Sequence, residues 1–207
     1  EVSEKQSEYL KAILESSGRL SALIGNIIDL ASIEAGYLTL EPRELNVREV
    51  ADAAVLLIEE RARSQGVEIV IDLDEAVSVI EADDRRLRQI LFNLMSSALQ
   101  FTSQGERINL SVRAEGDSIL FAVTDDGSGV PEEMRNLIFE AFSGPDRGGR
   151  AQGPDLALPL VRRLVELHGG SMSVKPVEGA GLCIQCRLPR HAVTPGAASA
   201  LADELIL

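Results

Sequence analysis

Residues 5–36 carry an apolar stripe that a lone helix cannot bury. Leu10, Ile13, Ser17, Leu20, Ile24, Ile27 and Ala31 recur at alternating spacings of three and four, and Leu14, Ser21, Ile28 and Ala35 widen the stripe. That spacing predicts one long helix with a bundle or coiled-coil seam, and an opposite polar face of Glu15, Arg19, Asn26 and Asp29. Gly36 is placed to end the helix, and Pro42 falls in the segment that follows. Such a face needs a cover, either a helix upstream of residue 1, a second copy of the chain, or both. Packing on the chain's own downstream residues is the plainer alternative.

Beyond the helix the pattern becomes mixed. Asn46 to Gln65 reads as a helix with a polar cap and Val50, Ala54, Leu57 and Ile58 on one face, closed by Gly66. EIVIDL (68–73) and VSVIEA (77–82) are strand-like in their β-branched content. Asp84 to Phe101 gives a second long helix, with Leu87, Ile90, Leu91, Leu94, Met95 and Ala98 on its apolar face. RINLSVRA and SILFAVTD, joined by Glu115-Gly116-Asp117, form a hairpin. A short helix around Glu132 to Phe139, a Gly/Pro/Arg loop from Ser143 to Pro154, a helix from Asp155 to Leu167, and a hairpin of SMSVKPV and GLCIQCRL follow. The expected fold is α+β, a long helix of a dimeric bundle followed by a mixed sheet covered by helices. Its units are residues 1–40, a linker at 41–46, a domain at 47–190, and a loose Ala-rich tail at 191–207.

Composition narrows the functions available. Asp and Glu number 33 against 20 Lys and Arg, a net charge of −13. Clusters of basic side chains that would grip phosphate backbones or an anionic bilayer are therefore not expected. With no Trp, five Phe and two Tyr, base-stacking platforms for nucleic acid are not expected either. No apolar run is long enough to span a bilayer, and EVSEKQSEYL lacks the pattern of a signal peptide, so the expected location is cytoplasmic, with any tether upstream. Cys183 and Cys186 form a lone C-x-x-C in a strand, where alternation sends them to opposite faces. With His168 and His191 the only histidines, neither a zinc site nor a redox pair is expected.

Three segments converge on one chemistry. The helix from Asp84 sets Asn93, Ser97 and Gln100 on one face. Val123-Thr124-Asp125-Asp126-Gly127-Ser128-Gly129 puts a carboxylate at a strand end ahead of two glycines. The loop with Gly144, Arg147, Gly148, Gly149 and Arg150 leads to a helix at Asp155. A buried Asp accepts an exocyclic amino proton of adenine, glycines let the ring approach the backbone, and a helix N-terminus holds phosphate.

In order and spacing these segments resemble the dimerisation and ATP-binding region of bacterial sensor histidine kinases, over about residues 5 to 190. YLKAILESSGRLSALIGNIIDLASIEAGYLTL is similar to the second helix of the dimerisation hairpin and its exit. DRRLRQILFNLMSSALQFT resembles the N box, VTDDGSGVP the G1 box, IFEAF the F box, and LVRRLVELHGGSMSV the segment after the G2 box. The resemblance implies a GHKL (Bergerat) ATP-binding sandwich, with nucleotide held by Asn93, Asp125, Gly127, Gly129 and Gly153. It also implies phosphorylation of a histidine on the hairpin and transfer to an Asp of a response regulator.

The departures fall at the phosphate end. In the N-L-x-x-N-A-x-K pattern of the family, Ser97 stands at the magnesium-binding Asn and Gln100 at the Lys. Where the family has G-T-G-L-G-L-A, this chain reads Gly153-Pro154-Asp155-Leu156-Ala157-Leu158-Pro159. A Ser hydroxyl is a more distant metal ligand than an amide carbonyl, Asp155 sets a carboxylate against triphosphate, and Pro154 and Pro159 remove amide donors. The combined loss is about 3–6 kcal/mol, or 10²- to 10⁴-fold in affinity. The resemblance thus implies weak or vestigial ATP binding, Mg²⁺ held doubtfully, no metal ligand set, and no catalytic residue in this chain.

The phosphoacceptor histidine would lie on the first hairpin helix, upstream of residue 1, since His168 fits a helix end and His191 the tail. The expected function is a degenerate sensor histidine kinase, homodimeric through the N-terminal helix, that docks a response regulator receiver domain or a partner kinase. The alternative is an active protein-histidine kinase with an unusual pocket. A gyrase-like ATPase is disfavoured, because Asn93 stands where that branch needs a general-base carboxylate.

Overall fold

The computed structural model describes residues 4–127, 156–177 and 181–192. The expected short helix at 132–139, the loop at 143–154, Gly129, Gly153, Pro154, Asp155 and the tail beyond Ala192 lie outside the described residues.

Helix α1 (Glu4–Glu34) runs the length that its periodicity predicts. It stops at Gly36, whose φ of +70° is the left-handed conformation that glycine tolerates best. The helix has two working faces rather than one. Tyr9, Leu10, Ile13, Leu20, Ile24 and Ile27 are exposed along the predicted seam. On the other side, Leu23, Asn26, Asp29, Leu30 and Ile33 are half-buried, and Leu30 and Ile33 pack on the core. The face expected to be polar is therefore the one that meets the chain's own domain at its C-terminal end, while the predicted seam stays exposed.

After α1, β1 (Arg43–Asn46) pairs antiparallel with β3 (Val79–Ala82), Leu45 opposite Ile80. Residues 43–46 fall in the segment read from sequence as a linker. A single apolar residue, Leu45, gives no period to detect, and the strand exists through its distant partner. Helix α2 (Val47–Gln65) is capped by Asn46, whose Oδ1 accepts the N–H groups of Arg48 and Glu49 at 3.0 and 3.3 Å. Gly66 ends it at φ +69°. Val50, Ala54 and Ile58 are buried as expected, but Leu57 is not: it is 62% exposed beside Leu56. Ala51 and Ala62 take the remaining inward positions, which rotates the buried stripe away from Leu57.

The main sheet orders its strands β2 (Glu68–Leu73), β4 (Arg107–Glu115), β5 (Ser118–Asp125), β7 (Leu182–Pro189) and β6 (Ser171–Pro176). β2 and β4 are parallel and the other pairs antiparallel, so the sheet is mixed. Helices α2, α3 (Asp84–Phe101) and α4 (Ala157–Leu167) pack on it. Alternation along the strands sends Ile108, Leu110, Val112, Ile119, Phe121 and Val123 into the core. They meet Leu87, Ile90, Leu91, Leu94 and Met95 of α3, all fully buried, and Leu160, Val161, Leu164 and Val165 of α4. Helices layered on a mixed sheet give the α+β sandwich expected from the sequence.

Arg190 joins the two sheets: its N–H donates to the Asp117 carbonyl and its carbonyl accepts the Glu81 N–H, both at 2.8 Å. Cys186 is buried and Cys183 half-buried, three positions apart on one strand and so on opposite faces. Burial pushes the Cys186 thiol up to about 12, which keeps it protonated and unreactive. No described helix is long and apolar enough to cross a membrane.

Candidate functional site

The site is built on the register between α3 and the end of β5. Asp83 starts α3 in an extended conformation, and its Oδ1 accepts the Arg86 N–H at 3.0 Å. From that start, helical spacing turns the apolar residues of α3 onto the sheet and leaves Asn93 and Ser97, one turn apart, on a neighbouring stripe. Both are buried, 8% and 5% exposed, which is unusual for polar side chains inside a helix. The Asn93 Nδ2 group is buried with no hydrogen-bond partner. A buried, unpaired amide donor costs stability, and a ligand oxygen placed against it would recover that cost. Gln100, the third residue of the predicted face, is exposed and does not join them.

Asp125 closes β5, 5% exposed, with Leu182 of β7 and Ile108 of β4 as its sheet neighbours. Its Oδ1 accepts the Gly127 N–H at 2.9 Å, a turn that fixes the carboxylate and draws the chain back on itself. Gly127 sits where no side chain fits: an added Cβ would lie 2.3 Å from the Phe101 carbonyl oxygen and 2.8 Å from Asp125 Oδ1. The glycine therefore seats the end of β5 directly on the last turn of α3. Thr102 holds that turn, its hydroxyl donating to the Ala98 carbonyl at 2.9 Å.

Sequence reasoning did not single out Gly181. A Cβ there would lie 1.9 Å from the Asp125 carbonyl oxygen, so β7 can approach the site only with glycine at its entry. Its signal was a glycine immediately before a strand pattern, a marker of close backbone approach. The structure thus brings Asp125, Gly127 and the α3 terminus together, with Asn93 and Ser97 further up the same helix. Gly129 and Gly153 lie outside the described residues.

A second polar cluster surrounds the start of α3. Arg86 pairs with Asp29 of α1 at 3.0 Å, and Gln89 donates to the other oxygen of Asp29 at 2.8 Å. Asp84 bonds Arg88 at 2.7 Å and Arg43 at 2.6 Å. Partial burial opposes ionisation of Asp84, but the two guanidinium groups outweigh it and hold the carboxyl below its usual range. Glu166 of α4 is shifted down in the same way, partial burial outweighed by Arg163 and Arg162.

The donors present suit a purine nucleotide. A fixed, buried carboxylate at a strand end is able to accept from an exocyclic amine, and the unpaired Asn93 amide is able to donate to a ligand oxygen. Among the described residues no cluster of acidic, His or Cys side chains could hold a metal ion.

These features define an α+β sandwich attached to a helical arm. Residues 82–192 match the family described as histidine kinase-, DNA gyrase B-, and HSP90-like ATPase, and the chain belongs to that family. Its relatives place it with the sensor histidine kinases. It is 38% identical over 194 residues to the circadian input-output histidine kinase CikA of Synechococcus elongatus, covering 92% of this chain and 26% of CikA. It is 35% identical over 196 residues to the sensor protein DivL of Caulobacter vibrioides, covering 95% of this chain and 25% of DivL. The chain therefore spans about a quarter of the length of these relatives. Among solved structures, full-length ShkA in complex with AMPPNP superposes with a TM-score of 0.79 at 29% identity, over 94% of this chain and 41% of ShkA.

Proposed function

We propose that this chain is the helical arm and ATP-binding-like domain of a degenerate sensor histidine kinase in two-component signalling. Its role is dimeric docking of a response regulator receiver domain or a partner kinase, with weak nucleotide binding and little phosphoryl transfer. The observation that carries this reading is Ser97. It is buried on α3 one turn beyond Asn93, so a short hydroxyl occupies the position where the family pattern has the metal-binding amide. A hydroxyl on that stem stops short of the place an amide carbonyl reaches, and magnesium tolerates little departure from octahedral geometry. The exposure of Gln100 removes any compensating reach from the next turn.

The exposed seam of α1 supports the docking half of the proposal. Leu10, Ile13, Leu20 and Ile24 are each about half exposed or more, a contiguous apolar stripe beyond what an isolated surface helix carries. A second copy of the helix in a bundle covers that stripe, and a receiver domain would pack beside it, over Ser16 to Ile28.

One observation favours the alternative of an active kinase. Asn93, Asp125 and Gly127 are all in place, and the ShkA structure that this chain resembles was determined with AMPPNP. The two readings part on nucleotide dependence. Receiver-domain binding to the purified dimer, titrated with and without Mg²⁺ and ATP, is expected to give the same affinity in both conditions. An affinity that changes more than about tenfold on adding Mg²⁺·ATP would overturn the docking reading.

A further inference from the structure

Outside α1 and its exit at Tyr37, large exposed hydrophobic side chains are few among the described residues, and Leu56 and Leu57 are an adjacent pair of them. They lie in the middle of α2, 71% and 62% exposed, on a helix whose other side supplies Val50, Ala54 and Ile58 to the core. Two leucines cover far less than the roughly 800 Å² that each partner of a stable complex buries. The seam of α1 is long enough for a separate partner, whereas the α2 pair is not. A patch this small holds a segment that is tethered beside it, at an effective concentration on the order of a millimolar.

The residues after Ala192 have the pattern such a patch needs. Ala198, Leu201, Ala202, Leu205 and Ile206 recur at i, i+3, i+4, i+7 and i+8, one apolar stripe at helical spacing, with Asp203 and Glu204 off it. Pro195 and Gly196 break the chain just ahead of the stripe. So short a segment does not hold a helix alone in water, and its apolar side has to be covered for it to order.

We propose that residues 198–206 dock on Leu56 and Leu57 of the same chain, as a short helix laid along the outer face of α2. The end of the described chain is in the right place. The Ala192 N–H donates to Glu81 Oε2 at 3.2 Å, and Glu81 stands opposite Glu44 in the β1–β3 pair. Strand β1 runs on to Asn46, the residue that caps α2. Leu56 and Leu57 follow about 14 Å along that helix, at 1.5 Å per residue. Residues 193–197 extended and 198–206 helical together reach about 30 Å, enough to pass the two leucines. Charge adds to the fit at one point. Arg61, one turn after Leu57, donates to the Ser96 hydroxyl at 3.2 Å and has no carboxylate partner among the described residues, which leaves guanidinium donors for Asp203 or Glu204. Glu59, on the same helix, is already paired with Arg63 at 2.7 Å.

The chain has no tryptophan, so Leu205→Trp places a single reporter in the tail of the whole protein. Acrylamide quenching of that tryptophan is expected to be at least about threefold weaker than in the same chain with Leu56→Asp and Leu57→Asp added. Adding Leu201→Asp instead, which breaks the stripe from the tail side, is expected to raise quenching to the same level. Quenching that is strong from the outset would overturn the docking. So would quenching that the α2 substitutions leave unchanged, which would seat the tail elsewhere, on the seam of α1 for instance. Shielding that fades on dilution would put the tail on a second copy and overturn it as well. Both leucines are exposed, so the urea midpoint of the α2 variant is expected to stay where it was; if it falls, Leu57→Ser takes that variant's place in the comparison.

Discussion

The imidazole of His168 at the end of α4 bridges to the start of α3: its Nδ1 lies 2.7 Å from the Leu164 carbonyl, and its Nε2 accepts the Asp83 N–H at 3.4 Å. That pairing requires a neutral ring with the proton on Nδ1, because Nε2 must keep a lone pair. Burial drives the same outcome. His168 is 7% exposed, and desolvation lowers its pKa below 6.5 despite the Leu164 carbonyl and the nearby Asp83 carboxylate, which both favour the proton.

The neutral ring therefore contributes stability that is fully present above pH 6.5 and is lost as the pH falls through the lowered folded-state value. Asp84 and Glu166 are shifted down from 3.8 and 4.5, so their contributions fail at lower pH, and mild acid isolates the histidine. Thermal melts between pH 7 and 5 are expected to show a falling midpoint in the native chain and a flatter profile in His168→Gln. Parallel profiles would remove His168 from the pH response.

Gly127→Ala forces a Cβ to within 2.3 Å of the Phe101 carbonyl oxygen, a contact with a backbone atom that no rotamer relieves. The chain must separate β5 from the last turn of α3, at an expected cost of about 1–3 kcal/mol in urea unfolding. Nucleotide binding is expected to fall with it, because the same displacement moves Asp125. Unaltered stability would mean that the end of β5 is looser than this packing implies.

Asn93 separates function from stability. Its amide nitrogen is buried without a partner, so Asn93→Ala removes an unsatisfied donor and is expected to change the unfolding free energy by less than about 1 kcal/mol. Ile90→Ala, one turn earlier and fully buried, is expected to cost about 2–5 kcal/mol. Whatever residual nucleotide affinity exists should drop at least about tenfold in Asn93→Ala. An equally destabilised Asn93→Ala would identify Asn93 as a structural residue rather than a ligand-binding one.

Much of this architecture was legible in the sequence, and the exceptions share a cause. Helix α3 and the β4–β5 hairpin could be read because their burial follows a local period, 3.6 in one and 2 in the other, with Asp83 and Gly116 marking their limits. Asn93, Asp125 and Gly127 stood out through the order of their residue types; the fold buries Asn93 and Asp125 and ties Gly127 to Asp125, while their part in holding nucleotide is a proposal. Strand β1 was hidden because Leu45 alone faces the core, and its pairing with Ile80 is distant in the chain. Leu57 misled because its spacing fits the inward stripe of α2, whereas Ala51 and Ala62 fill that side in the packed domain. Asp29 and His168 look like a solvated acid and a helix end until Arg86 and Asp83 are brought to them by the fold. Gly129 and Gly153 rest on the sequence pattern alone.

Restoring the pattern tests whether the departures matter. The double substitution Ser97→Asn with Asp155→Gly returns an amide ligand to the buried position on α3 and removes the carboxylate that precedes α4 in sequence. Affinity for Mg²⁺·ATP is expected to rise at least about tenfold, measured by fluorescence competition with a labelled nucleotide. No gain would mean that these two substitutions are not what weakens the phosphate end.

The central claim, that the adenine end survives while the metal–triphosphate end does not, is tested most directly by calorimetric titration of Mg²⁺·ATP into the purified chain, repeated in EDTA. The account predicts either no measurable heat or binding weaker than about 100 μM that is the same with and without chelator. Binding tighter than about 100 μM that collapses in EDTA would contradict it, because it would require an assembled metal–triphosphate site.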